Sequence, residues 1–107
     1  MINLYLDDLR PCPKGFSLAR NTFKCRRMIT FHKVKILSLD HDLGEIETGY
    51  DFCKWLVEKG LGNPDIYPEV IYLHTANPVG RENMYQLLDR YKPDWVKLHK
   101  GPMPNND

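Results

Sequence analysis

An excess of charge of either sign is missing from this chain. Fifteen Lys and Arg stand against fourteen Asp and Glu, a formal net charge of +1. Without an excess of positive charge, bulk electrostatics give no reason to expect duplex DNA or an anionic membrane surface as a partner. A small anionic ligand needs only a few placed cations and is not excluded. Cysteine is also sparse. Cys12, Cys25 and Cys53, with no C-x-x-C, are too few and too scattered for a disulfide framework. Cys25 and Cys53 fall on apolar positions of helical patterns, where cysteine acts as a small hydrophobe. All three are expected as reduced thiols in a cytoplasmic protein. No apolar run is long enough to cross a membrane, and no signal-peptide pattern opens the chain. Repeats, linkers and low-complexity stretches are absent. What is present is a chain of 107 residues with 42% hydrophobic content, which suits one domain (1–107) with a single core.

Short apolar runs alternate with helical patterns. Strands are expected at Ile2 to Leu6, Phe16 to Arg20, Val34 to Leu39 and Glu69 to Leu73, with Trp95 to His99 as a last edge strand. A helix over about Asn21 to His32 would turn Cys25, Met28, Ile29 and His32 inward. Thr48 and Asp51 form a T-x-x-D capping signal for a second helix, which carries Phe52, Cys53, Leu56 and Val57 inward and stops at Gly60. Asn77 caps a third helix with Pro78 at its first position; Met84, Leu87, Leu88 and Tyr91 form its buried stripe and Pro93 ends it. Residues 101–107 read as a loose tail. Such alternation with near-continuous apolar strands predicts an α/β fold with a parallel sheet of four or five strands, covered on both faces. One connection is unusual. Only "DDLRPCPKG" separates the first two strands, too short for a crossover helix. Extended over roughly 30 Å, and stiffened by Pro11 and Pro13, it can still return the chain to the start of a parallel strand.

Parallel strands bring their C-terminal ends to one edge, where open α/β sheets place ligands. The first strand ends in Asp7 and Asp8 with Arg10 close behind. The third ends in Asp40, His41 and Asp42, followed by Gly44. The fourth ends in His74, Thr75 and Asn77. Three neighbouring strands thus deliver up to four carboxylates and two imidazoles to one spot, which no fold requires. Crowded carboxylates raise one another's pKa unless a cation intervenes. A divalent metal is the usual resolution: oxygen ligands suit Mg²⁺ or Mn²⁺, and added imidazole admits Fe²⁺ or Zn²⁺. The helix opening at Pro78, with Gly80 in its first turn, points backbone N–H groups at the same edge, ready for a phosphate, with Arg10 and Arg81 as a clamp. Taken singly, these residues have plainer uses: Asp8 as a loop residue, Thr75 as a structural hydroxyl, Asn77 as a cap, His74 as a satisfied histidine. His32 and His99 read as structural or surface groups.

The motifs "LDDLRPCPKG", "SLDHDLG", "TGYD" and "HTANPVG" also carry a resemblance. The acid pair after the first strand, the Asp ending the third and the "TA" ending the fourth are similar to response-regulator receiver domains. Together the motifs resemble a narrower family, the cyclic-phosphate-processing receiver-like domains, over about Asn3 to Tyr91. The resemblance implies a flavodoxin-like three-layer sandwich lacking the first crossover helix, and a metal-dependent activity on cyclic phosphates of nucleotides or RNA ends. It implies that Asp7, Asp8 and Asp40 hold the metal, and that His41, Asp42, His74 and Asn77 distinguish the family from phosphoswitches. An ordinary receiver also has a lysine at the end of its fifth strand, for which Lys100, or less directly Lys97, is the counterpart.

Three functions follow as expectations. In the first, a phosphoesterase opens a cyclic phosphodiester, with His41 and His74 as base and acid beside Asp42, and Arg10, Thr75, Asn77, Gly80 and Arg81 on the substrate. In the second, Asp40 accepts a phosphoryl group in signalling, which leaves His41, Asp42 and His74 without a task. In the third, the domain binds a cyclic nucleotide without cutting it.

Overall fold

The computed structural model describes residues 1–104 of the chain. Five strands, β1 (Ile2–Leu6), β2 (Ser17–Ala19), β3 (Val34–Leu39), β4 (Val70–Leu73) and β5 (Lys97–His99), form one sheet in the order β2-β1-β3-β4-β5. Every pairing is parallel. This is the flavodoxin-like receiver order, in which the direction of winding reverses beside β1 and β3. Asp7, Asp40 and His74 follow directly on β1, β3 and β4. Their backbone N–H groups continue the ladder, donating to Ala19, Leu6 and Leu39 carbonyls at 3.0–3.1 Å.

The β1–β2 connection contains no helix, and the first strand stays parallel to the rest as the extended path allows. The other three connections each carry one: α1 (Thr22–Phe31), α2 (Gly49–Gly62) and α3 (Pro78–Tyr91). All three step across the sheet in the same direction, so right-handed crossovers place them on one face. Leu4, Leu6, Leu37, Leu39, Ile71 and Leu73 alternate towards that face and are fully buried with Cys25, Phe52, Leu56, Met84 and Leu88 of the helices. The expected cover on the second face is made by loop instead of helix. Ile36 and Tyr72 line a groove there with Pro13 and Phe16 of the β1–β2 connection and Met103 and Pro104.

The caps follow the chemistry of the sequence. Asn21 accepts from the Lys24 N–H, Asn77 from the Gly80 N–H, and Thr48 and Asp51 form a reciprocal capping box. Gly60 does not end α2, which runs on to Gly62. Its bare Cα lies against the Tyr67 ring, where a side chain would not fit, so this glycine serves packing within the helix. His32 is exposed, contrary to the helical pattern, because as the extended C-cap residue it has left the helix. Tyr91, the last residue of α3, is also largely exposed. Gly101 is tied to the sheet through its carbonyl, which accepts from Leu73 N–H at 3.1 Å. Residues 105–107 of the expected loose tail lie outside the described residues. No helix among the described residues is long and apolar enough to cross a membrane.

Candidate active site

The C-terminal edge of the sheet opens into a cleft of about 410 Å³ lined by residues that follow β1, β3 and β4, among them Asp7, Asp8, Arg10, Asp40, Asp42, Gly44 and Thr75. Three short parallel strands ending in register produce this convergence.

Asp7 is the most enclosed of the acids. Its Oδ1 accepts the backbone N–H groups of Leu9 and Arg10, both at 2.9 Å, and its Oδ2 accepts from Arg10 Nη1 at 2.8 Å and from His74 Nε2 at 2.9 Å. Burial alone would raise its pKa, yet these four donors hold it at about 2. The cation that crowded carboxylates require is therefore partly supplied from within the chain. The Arg10 guanidinium also lies 3.2 Å from Asp40 Oδ2, and the Arg10 carbonyl is held by Arg20 Nη1 at 2.9 Å. Asp40 Oδ1 caps its own strand end by accepting the His41 N–H at 2.8 Å.

One oxygen from each of Asp7, Asp8 and Asp40 can be chosen so that all three lie within 4.8 Å of one another. An all-oxygen set of this size fits a hard divalent cation. Gly44, at φ +66°, lets the loop pass beside Asp8, where a Cβ would lie 2.9 Å from Asp8 Oδ2. The same loop is pinned to α1 by Thr22 Oγ1 donating to Glu45 at 3.1 Å and by an Arg26–Glu47 ion pair.

A second cluster adjoins the acids. His41 Nδ1 lies 2.8 Å from Asp42 Oδ1, and Asn77 Nδ2 donates to both Asp42 oxygens at 3.4 Å. The His41 bond, then that of Asn77, keeps the Asp42 carboxyl below its usual range. Asn77 Oδ1 is meanwhile occupied by the Gly80 N–H at 3.0 Å, so Asn77 both caps α3 and steadies the pair. The His41 ring packs on the bare Cα of Gly80, closer than any Cβ would permit. His41 Nε2 has no hydrogen-bond partner among the described residues.

Several expected roles take a different form. His74 is only 6% exposed, and both its nitrogens are engaged: Nε2 by Asp7 and Nδ1 by Ser38 Oγ at 2.6 Å. Its ring stacks on Tyr5 at 4.3 Å. The structure brings His74 to the acids and turns it away from open solvent, between Asp7 and Ser38. Arg81 donates through Nη2 to the Thr75 carbonyl, while its buried Nε has no partner among the described residues; the Gly80 N–H is taken by Asn77, and neither residue lines the cleft. Thr75 Oγ1 accepts the Asn77 N–H at 3.1 Å while lining the cleft. Lys100 pairs with Glu82 of α3 at 2.5 Å, and no lysine lines the cleft among the described residues. Ser38 is the residue that sequence reasoning passed over. Its signal was a hydroxyl inside the apolar run "VKILSL", fully buried in the sheet.

No curated protein and no solved structure gives a significant match to the chain. The family described as the cyclic-phosphate processing receiver domain matches residues 2–90. That span includes every strand ending that builds the cleft, and the chain belongs to this family.

Proposed function

We propose that the domain is a phosphoesterase that opens a cyclic phosphodiester of a nucleotide or an RNA end, with a divalent cation, Mg²⁺ or Mn²⁺, held by Asp7, Asp8 and Asp40. The observation that carries this is the sharing of one cleft by the three-carboxylate oxygen cluster and by Asp42, the partner of His41. Among the described residues the oxygen cluster includes no imidazole nitrogen, which favours Mg²⁺ or Mn²⁺ over Zn²⁺ or Fe²⁺. When bound, such a cation supplies charge that polarises a phosphoryl oxygen and acidifies water.

The chain's own residues supply the rest. Water adds to phosphorus, one ring P–O bond breaks, and the released ribose oxygen takes up a proton. Asp42 holds His41 by Nδ1 and leaves Nε2 to carry the proton, either from the water or to the departing oxygen. Arg10, on the cleft wall and 42% exposed, is the cation placed to meet phosphate charge. A phosphoacceptor role for Asp40 is less well supported, because Lys100 is engaged by Glu82.

The test is incubation with nucleoside 2′,3′-cyclic phosphates, 3′,5′-cyclic mononucleotides, cyclic oligonucleotides and RNA ending in a cyclic phosphate, each with Mg²⁺ or Mn²⁺. Turnover of one class, abolished by chelation and by His41→Ala, is the expected result. Tight binding with the ligand recovered intact would make the domain a binder, and no turnover or binding across the panel would overturn the proposal.

A further inference from the structure

Ser38 sits in the central strand β3 with its side chain fully buried, on the sheet face opposite the helices. A hydroxyl in such a place is costly unless it is bonded. Its Oγ lies 2.6 Å from His74 Nδ1, and His74 Nε2 lies 2.9 Å from Asp7 Oδ2. An ionised carboxylate only accepts, so Nε2 must carry the proton. In the neutral imidazole Nδ1 is then an acceptor, and the Ser38 hydroxyl is its donor. The Tyr5 ring lies parallel to the imidazole within 4° and prevents it from tilting.

We propose that Ser38 and His74 are positioning residues. Asp7 sets the tautomer of His74, Ser38 fixes its orientation by donating to Nδ1, and His74 in turn fixes the Asp7 carboxylate for a divalent cation. This rests on the metal proposed above. The chain runs entirely through the interior, from a strand residue that never meets the cleft to the carboxylate that lines it. Partners that orient a ligating group in this way typically contribute about 10- to 100-fold to metal affinity. Asp7 Oδ1 is fixed independently by the Leu9 and Arg10 amides, so loss of the chain should free one carboxylate oxygen and leave the other held.

The experiment is Mn²⁺ titration of the whole chain, followed by electron paramagnetic resonance, for wild type, Ser38→Ala, His74→Leu and His74→Gln. Ser38→Ala and His74→Leu are expected to bind Mn²⁺ about 10- to 100-fold more weakly. His74→Gln, whose amide can still donate to Asp7, should recover much of the loss. In parallel, ¹⁵N spectra of the metal-free wild type should show His74 protonated at Nε2, and in Ser38→Ala the Nδ1 signal should move towards that of an acceptor nitrogen with no donor. That readout does not move for a residue that merely fills space. If wild type binds no divalent cation, the metal proposal fails and this one fails with it. If wild type binds but Ser38→Ala and His74→Leu bind equally well, only the positioning chain is overturned. A His74 protonated at Nδ1 in wild type overturns it without any variant.

Discussion

Arg10 bridges two of the three acids, with one guanidinium nitrogen 2.8 Å from Asp7 Oδ2 and 3.2 Å from Asp40 Oδ2. A carboxylate has about four acceptor positions, and on Asp7 all four are filled: two by backbone amides, one by His74 and one by Arg10. Of these donors only the Arg10 side chain is substantially exposed and free to swing away.

A divalent cation and the Arg10 side chain therefore compete for the same oxygens. Arg10→Gln should bind Mn²⁺ more tightly, on the order of tenfold, while losing turnover because the phosphate contact is gone. The metal-free fold should lose about 1 kcal/mol, since the pair is partly solvated. Calorimetric titration with Mn²⁺ checks the sign. Weaker binding in Arg10→Gln would mean that the arginine helps to build the metal site instead of occupying it.

Gly80 and His41 should be coupled. A methyl at position 80 meets the imidazole, so Gly80→Ala should displace His41 and lower turnover on the order of a hundredfold. In the double variant Gly80→Ala with His41→Ala the collision is relieved. A double-mutant cycle in denaturant unfolding should then show about 1–3 kcal/mol of coupling. Additive losses would separate the two positions.

Acid should destabilise the metal-free protein in two stages. Burial, opposed in part by Asp7, lowers the His74 pKa below 6.5, so the unfolded chain takes up a proton before the folded one does. Stability is full above about pH 6.5 and falls as pH drops through that range. Asp7, at about 2 when folded, contributes stability above its unfolded value near 4 that is lost between about pH 4 and 2. Urea unfolding of wild type, His74→Gln and Asp7→Asn between pH 8 and 2 separates the stages. His74→Gln should lose only the upper one, and an unchanged upper stage would mean that His74 titrates normally.

Lys100 should be dispensable to the cleft. Lys100→Ala removes a solvent-screened pair with Glu82 and should leave Mn²⁺ affinity and turnover unchanged. Beryllofluoride should produce no Asp40-dependent fluorescence change in wild type. Such a change, diminished in Lys100→Ala, would restore the phosphoacceptor alternative.

The parallel strands and the edge that bears the cleft were legible because apolar runs that end abruptly in Asp or His leave few other arrangements. The caps at Thr48 and Asn77 were legible because each uses a local side-chain bond written in three or four residues. Side-chain direction was not. Nothing in "HTANPVG" tells whether His74 faces solvent or Asp7; that depends on Tyr5 and Ser38, which lie far away in sequence. Arg81 and Lys100 were read as cations available to the site, yet each found a nearer acceptor, the Thr75 carbonyl and Glu82. Gly60 reads as a helix stop because its packing partner, Tyr67, lies beyond the helix.

The helix-free link between β1 and β2 changes the electrostatics of the acids beside it. A crossover helix starting after β1 would aim its N-terminus at this edge, with a fixed partial charge of about +0.5 from aligned peptide dipoles. Here that macrodipole is absent, and the same stretch of chain carries Arg10. The half charge of a helix end cannot leave, whereas the full charge of a side chain can rotate out. Replacing one by the other turns a permanent counter-charge into an exchangeable one, set on the cleft wall within a side chain's reach of Asp7 and Asp40.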